Sequence, residues 1–503
     1  MSGLRFRRAG LLFLALAVCN TIASAHIGSP DIYLDANAGP YKLFITVRPP
    51  TVIPGVAELE VRSQTSGVRG ITAVPLPMSG PGAKFAPVPD VLTVSKDDPQ
   101  FFTGSLWLMA VGSWQVRINV DGAQGRAAVA IPVPSAALST KKMEPGLGGL
   151  LAGLMVFLSL GLVAIVSAAA REAELPSSVA PDAVQRRRGR SAALVTAVVV
   201  VAVLCYGQYW WTSEDRSYSQ NVFKPIHMDA QVSGGVLKLM LSDPGWSPGL
   251  RTTAPFQALR SLDDLVPDHN HLMHLYVIRQ PGLDVVYHLH PELVRTGEFQ
   301  LQLPDMPAGS YKLYADIVHR NGFPETLVST IDVPTLHGRP LSGDDAMGTA
   351  TPWGHAQRDT DFKLPDGYHM QWIRDSQPLK PKDPQLFRFR LVDASGRAPS
   401  DMAFYMGMLG HAAFVKTDGS VFAHIHPTGT VSMAAFMAAQ QQLVGASSDP
   451  MSGMDHSGTH SAASLPNEVG FPYGLPSPGK YRVFVQMKHG ATIETGIFDI
   501  QTD

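Results

Sequence analysis

Four histidines recur in one register along this chain. The first set is His274, His288, His290-Pro291 and His319, and the second is His411, His424, His426-Pro427 and His489. In both copies the last histidine closes a strand-like segment, Tyr311–His319 or Tyr481–His489, with tyrosine and histidine eight residues apart. Neutral imidazole is a common transition-metal ligand. A set repeated in register therefore reads as a duplicated metal site.

The turns decide whether the rings can meet. Asp418-Gly419 signals a two-residue type I′ hairpin, which pairs Thr417 with Ser420 and sets His411 opposite His426. In the first copy, a loop at Pro281-Gly282-Leu283 sets His274 opposite His290. Side chains at i and i+2 share a strand face, so His424 joins His411 and His426, and His288 joins His274 and His290. Opposed Cβ atoms lie about 4.5–5.5 Å apart. Three such imidazoles can converge on one ion with bonds of about 2.0–2.1 Å. His319 and His489 are expected to add a fourth ligand or a supporting group. His269 and His271, in Asp268-His269-Asn270-His271, either enlarge the first site or decorate a loop. The competing reading is a set of half-buried histidines satisfied by ordinary hydrogen bonds.

The elements that must position these rings are mostly strands. Residues 26–140 alternate apolar and polar at Lys42–Val47, Ala57–Val61 and Ser113–Val120, as a β domain does. Residues 213–336 and 362–503 read as two copies of one β-sandwich, joined by a Gly/Asp/Thr-rich linker at 337–361. Val236–Asp243 matches Leu386–Asp393, and Phe223–Met228 matches Phe362–Met370. A Gly-x-Tyr step enters the late strand at Tyr311 and Tyr481, as in a tyrosine corner. The second copy carries an insertion at about 428–470. It holds a short helix, Val431–Leu443, then a loop with Met451, Met454, His456 and His460. Thioether and imidazole together suit copper, Cu(I) especially.

Residues 1–25 read as a secretory signal: a basic start, the apolar run Leu11–Cys19, then Ala23-Ser24-Ala25. Cleavage there would make His26 the mature N-terminus. Leu147–Ala170 and Ala192–Trp211 are long and apolar enough to span a bilayer. The loop at 171–191 carries Arg171, Arg186, Arg187, Arg188 and Arg190, which puts it in the cytoplasm and both flanks outside. The net charge of -2 gives no argument for nucleic acid. The two cysteines, Cys19 and Cys205, lie in the signal and in a membrane segment. The exported parts thus have no disulfide, no thiolate-held zinc or iron–sulfur site and no blue-copper centre. The expected fold is mainly β, with three immunoglobulin-like or cupredoxin-like sandwiches and two transmembrane helices.

The leader, His26-Ile-Gly-Ser-Pro-Asp and the Gly/Pro-rich segment after it resemble bacterial envelope proteins with YtkA-like, FixH-like or CopC-like domains. Met406-Gly-Met-Leu-Gly-His411 and His424-Ile-His426-Pro427 resemble a widespread secreted bacterial module. The resemblance implies a copper-handling or oxidase-assembly context in the bacterial inner membrane, with partners from that context. The expected function is a membrane-anchored periplasmic metal-binding protein for sequestration, delivery or resistance. Its ion is copper, as Cu(I) or Cu(II), with zinc as the other candidate. The alternatives are an envelope enzyme with three-histidine zinc, and a structural or assembly module without metal. No residue is assigned a catalytic role.

Overall fold

A computed structural model describes residues 31–502 except 177, 221, 244–259, 354–359, 375–377 and 445–464. The signal segment, His26 and the Met451, Met454, His456 and His460 loop lie outside the described residues.

The chain is mainly β, as expected, with two long apolar helices. Apolar residues on alternate strand positions draw sheets together in pairs. In the N-terminal part, a five-stranded and a four-stranded sheet enclose Leu43, Val61, Ile71, Val116 and Ile131. The first copy encloses Leu237, Leu275, Val277, Tyr287 and Phe299. The second encloses Phe389, Ala412, Phe414, Ile425 and Val483.

In each copy one sheet carries the repeated histidines. In the first, His274–Gln280 lies between Gly309–His319 and Val285–Leu289. In the second, His411–Lys416 lies between Gly479–His489 and Phe422–Ile425. Odd-numbered residues of the His274 strand face their own core. The even-numbered ones face outward, and there they meet the other copy. Tyr276, Ile278, Val286 and Tyr314 pack against Ala413, Val415, Phe422 and Phe484 in a separate apolar layer. These strands are thus buried on both faces, and the histidines share the face between the copies.

The expected tyrosine corners are present. Tyr311 and Tyr481 donate hydroxyl hydrogen bonds to the Pro307 and Ser477 carbonyls, each at 2.7 Å. The Asp418-Gly419 turn is different from expected. Only Gly419 has a positive φ, 71°, and its N–H bonds to Lys416 O at 2.8 Å. The strands close between Lys416 and Val421, and no Thr417–Ser420 pair forms. The register survives because the number of intervening residues is unchanged. Ala412 pairs with Ile425 and Leu275 with Leu289, which aligns His411 with His426 and His274 with His290.

Three segment boundaries also move. The apolar helices run Pro145–Glu172 and Ala183–Gln220, so most of the arginine-rich loop is helical. Asp182 and Gln185 cap the second helix reciprocally, each side chain accepting from the other's backbone N–H. Part of the 337–361 linker forms a strand, Ala346–Thr349, paired with Val285–His288. The insertion helix runs Met433–Val444, close to expectation.

The N-terminal sheets pack onto the second copy. Asp35 N bonds Thr428 O, and Thr430 N bonds Tyr33 O. Gln440 and Gln442 of the insertion helix bond Ala130 and Met78. This seam bonds the part before the two apolar helices to the part after them.

Candidate metal centre

The two outward faces bring the duplicated histidines into one buried cluster. A ligand nitrogen from each of His274, His288 and His290 lies within 4.8 Å of the other two, as their register requires. In the second copy the corresponding group is His269, His411 and His426. His269 comes from the first copy. It sits in a turn between Asp268 and His271, whose backbones exchange two hydrogen bonds of 2.9 Å. Positive φ at both His269 (47°) and Asn270 (70°) makes this the type I′ turn. The turn carries the His269 ring to 5.1 Å from His411 and 5.0 Å from His426. The second copy has the same turn at Met406-Gly407, between Tyr405 and Met408.

His424 was expected beside His411 and His426, and its ring is 4.8 Å from that of His426. It is as close to the first copy, 5.4 Å from both His274 and His288, as it is to His411, at 5.5 Å. It therefore lies between the two groups rather than within one. His271 stacks on His290 at 3.9 Å.

His319 and His489 do not join the cluster. His274 pairs with Asp316 and His411 with Gln486 across the sheets. His319 and His489 lie three residues further along, and an odd offset turns a side chain to the opposite face. His319 instead contacts Asp264 and Glu325, and His489 contacts Asp366, Asp401 and Glu494. Asp316 and Gln486 occupy the positions facing the cluster, and they reach across the interface. Gln486 Oε1 accepts from His288 Nδ1 at 2.8 Å, and Asp316 lies 3.3 Å from His424 Nδ1. Each copy thereby holds a histidine of the other.

Most rings are anchored through one nitrogen. His426 Nδ1 donates to Val431 O, and His274 Nε2 to Asp268 O, both at 3.1 Å. His290 Nδ1 bonds Asp345 at 3.0 Å, and His271 Nε2 bonds Asp344 at 3.1 Å. Tyr405 reaches His288 Nδ1 at 3.3 Å while donating to Asp344 O. Several of the remaining nitrogens are orphaned. Nε2 of His269, His290, His424 and His426 is buried with no hydrogen-bond partner among the described residues, and so are both nitrogens of His411. A buried polar atom left unpaired costs about 1–3 kcal/mol.

Burial also disfavours the charged form of several of these rings. It holds His274, His288 and His411 well below the ordinary imidazole range, with neighbouring histidines adding to the effect. His426 is pushed down to about 4 by burial, then by His424. Neutral rings held at one nitrogen with a lone pair left at the other are the form that ligates a metal. The residues present fit such an ion. A cleft of about 410 Å³ reaches His271, His274, His424 and His426 from the side of the N-terminal sheets.

Sequence reasoning missed the supporting groups Asp268, Asp316, Asp344, Asp345, Tyr405 and Gln486. Asp316 and Gln486 stand five residues after the two corner tyrosines, a shared position that could have marked them.

Residues 363–503 match a family described as a domain of unknown function, DUF8832. No curated protein matches the chain. Among solved structures, it is similar to Escherichia coli alpha-2-macroglobulin in its native conformation, at 6% identity and TM-score 0.20, over 93% of this chain and 23% of that one. The elastase-activated form gives 8% identity and TM-score 0.18, over 92% and 30%. Dimeric latent PorU from Porphyromonas gingivalis gives 9% identity and TM-score 0.14, over 94% and 34%. The chain spans no more than about a third of these proteins' lengths.

Proposed function

We propose that this chain is a membrane-anchored protein that binds transition-metal ions between its two C-terminal β repeats. The orphaned, buried and converging imidazole nitrogens carry the reading. A set of hydrogen-bonding core histidines would have paired those atoms. All-imidazole sites suit copper and zinc, and the intrinsic affinity order favours Cu(II). Copper is therefore the ion we assign, with zinc as its competitor. The cleft gives the ion a route in and out, which suits sequestration or handover to an envelope copper-handling or oxidase-assembly partner. The arginines at 171–190 favour a cytoplasmic helical turn, with the metal centre in the periplasm.

The test is a titration of the metal-depleted full chain in detergent with Cu(II) and with Zn(II). Wild type should take up copper stoichiometrically. His274→Gln/His288→Gln should lose one part of that uptake and His411→Gln/His426→Gln another. Unchanged uptake in both double variants, with folding retained, would overturn the proposal.

A further inference from the structure

The two copies carry a second equivalent locus, and they fill it differently. It lies on the sheet face opposite the histidine cluster. In the first copy Leu265 pairs with His319, and Glu325 pairs with Ile317, two residues before that histidine. In the second copy Met402 pairs with His489, and Glu494 pairs with Met487, again two residues before. Asp264, His319 and Glu325 therefore correspond to Asp401, His489 and Glu494. The contacts agree. Nδ1 faces the aspartate, at 2.5 Å in the first copy and 3.5 Å in the second, and Nε2 lies 3.5 Å from the glutamate in both.

In the first copy a fixed cation completes the locus. The Arg260 guanidinium is buried there, bonded to Glu325 and, at 3.1 Å, to Asp243. The second copy has an arginine at the same spacing, four residues before its aspartate: Arg397 before Asp401. That side chain is 80% exposed and pairs with Asp393, the counterpart of Asp243, but not with Glu494. The second copy also gains negative charge. Phe362 to His369 is three residues longer than Phe223 to His227, and the extra length brings in Asp366 and Tyr368. Asp366 Oδ2 comes to 3.3 Å from His489 Nε2, and Tyr368 stacks on that ring at 4.3 Å. A positive group has been withdrawn and a carboxylate supplied.

The atoms left behind meet only at ion-pair distances of 3.3 and 3.5 Å, longer than a well-formed hydrogen bond. His489 is 8% exposed and Glu494 4%, and both His489 Nε2 and Glu494 Oε1 are buried without a hydrogen-bond partner. One ligand atom from each of Asp366, His489 and Glu494 lies within 4.8 Å of the others. We propose that these three residues form a separate site for a divalent cation with nitrogen and oxygen ligands, zinc or manganese, in the place that Arg260 fills in the first copy. One imidazole with two carboxylates is a harder donor set than the histidine cluster, and it accepts Mn(II), which an all-imidazole cluster binds poorly. The site stands independently of the copper reading, because it shares no ligand with that cluster.

Mn(II) is therefore the probe. The metal-depleted full chain in detergent is titrated with Mn(II), and the free ion is followed by electron paramagnetic resonance. Wild type is expected to bind one equivalent. Glu494→Gln and Asp366→Asn, which preserve shape, are each expected to lower the affinity at least tenfold. His411→Gln/His426→Gln should leave the manganese equivalent in place while it diminishes copper uptake. Arg397→Ala should bind Mn(II) as wild type does. No bound manganese in wild type would overturn the proposal, as would unchanged affinity in both carboxylate variants. Binding that appears only in Arg397→Ala would also overturn it, since the arginine would then be closing the site in solution.

Discussion

His274 Nδ1 and His288 Nε2 face each other at 3.2 Å, and each is the lone-pair nitrogen of its ring. His274 gives its Nε2 proton to the Asp268 carbonyl, which can only accept. His288 gives its Nδ1 proton to Gln486 Oε1, and Gln486 Nε2 is held by Thr495 at 3.4 Å. Burial disfavours a shared proton between the two rings. Two nitrogens bound tetrahedrally to one ion, with bonds of about 2.0–2.1 Å, stand about 3.3 Å apart. An ion between them removes the repulsion. Copper at about 100 times its Kd should accordingly stabilise the metal-depleted chain by about 2.7 kcal/mol. His288→Gln should lose most of that gain. Thermal unfolding with and without copper checks this, and an undiminished shift in the variant would place the ion elsewhere.

Asp345 holds His290 through Nδ1 and leaves Nε2 buried without a hydrogen-bond partner. Asp345→Asn keeps the size but removes the charge that orients the ring and raises its basicity. Copper affinity at the first-copy group should fall about 10–100-fold, with binding retained, as happens when outer partners of metal-ligating histidines are changed. A chelator-competition titration measures it. Wild-type affinity in the variant would show that Asp345 does not orient a ligand.

The histidine pairing was legible because turn length fixes register and a period of two fixes face. The Asp418-Gly419 turn type was misread, yet no ring moved. The placement of His319 and His489 was legible in principle. They lie an odd number of residues beyond Asp316 and Gln486, so register alone excludes them from the cluster. The meeting of the copies was not legible. Strands such as His274–Gln280 bury both faces, which erases the apolar–polar alternation that would have marked an interface. His269 was hidden for a related reason. The rings it meets, His411 and His426, belong to the other repeat, and no local spacing encodes that distance.

Gly429 locks the turn after His426-Pro427 to the N-terminal sheet. Its φ is 141°, and a Cβ there would stand 2.0 Å from Tyr33 O. Gly429→Ala should break the bonds joining Tyr33 and Asp35 to Thr428 and Thr430, at a cost of at least about 1–3 kcal/mol. The loss should be local, because each part keeps its own core. Hydrogen exchange should quicken at Asp35 and Thr430 but not at Ala412 or Val483. Protection unchanged at Asp35 would mean the seam does not depend on this glycine.

His319 should make stability depend on pH. Burial alone would lower its pKa, but the hydrogen bond it donates to Asp264 and the Glu325 carboxylate 3.5 Å from its Nε2 outweigh that and raise it to about 9. The charged groups around it are Asp264, Glu325 and, bonded to Glu325, Arg260. In the unfolded chain the ring titrates near about 6.5. Below that pH both states carry the proton and the stabilisation is complete. Between 6.5 and 9 the folded form keeps a proton that the unfolded form has released, so rising pH erodes the stabilisation, which is gone above 9. The gap corresponds to about 3 kcal/mol at most. His319→Gln cannot titrate, so it should be less stable than wild type at pH 6 and converge with it near pH 9. Unfolding of the metal-depleted proteins across that range reads the difference directly. A gap that stays constant with pH would mean His319 is neutral in the fold and contributes by packing alone.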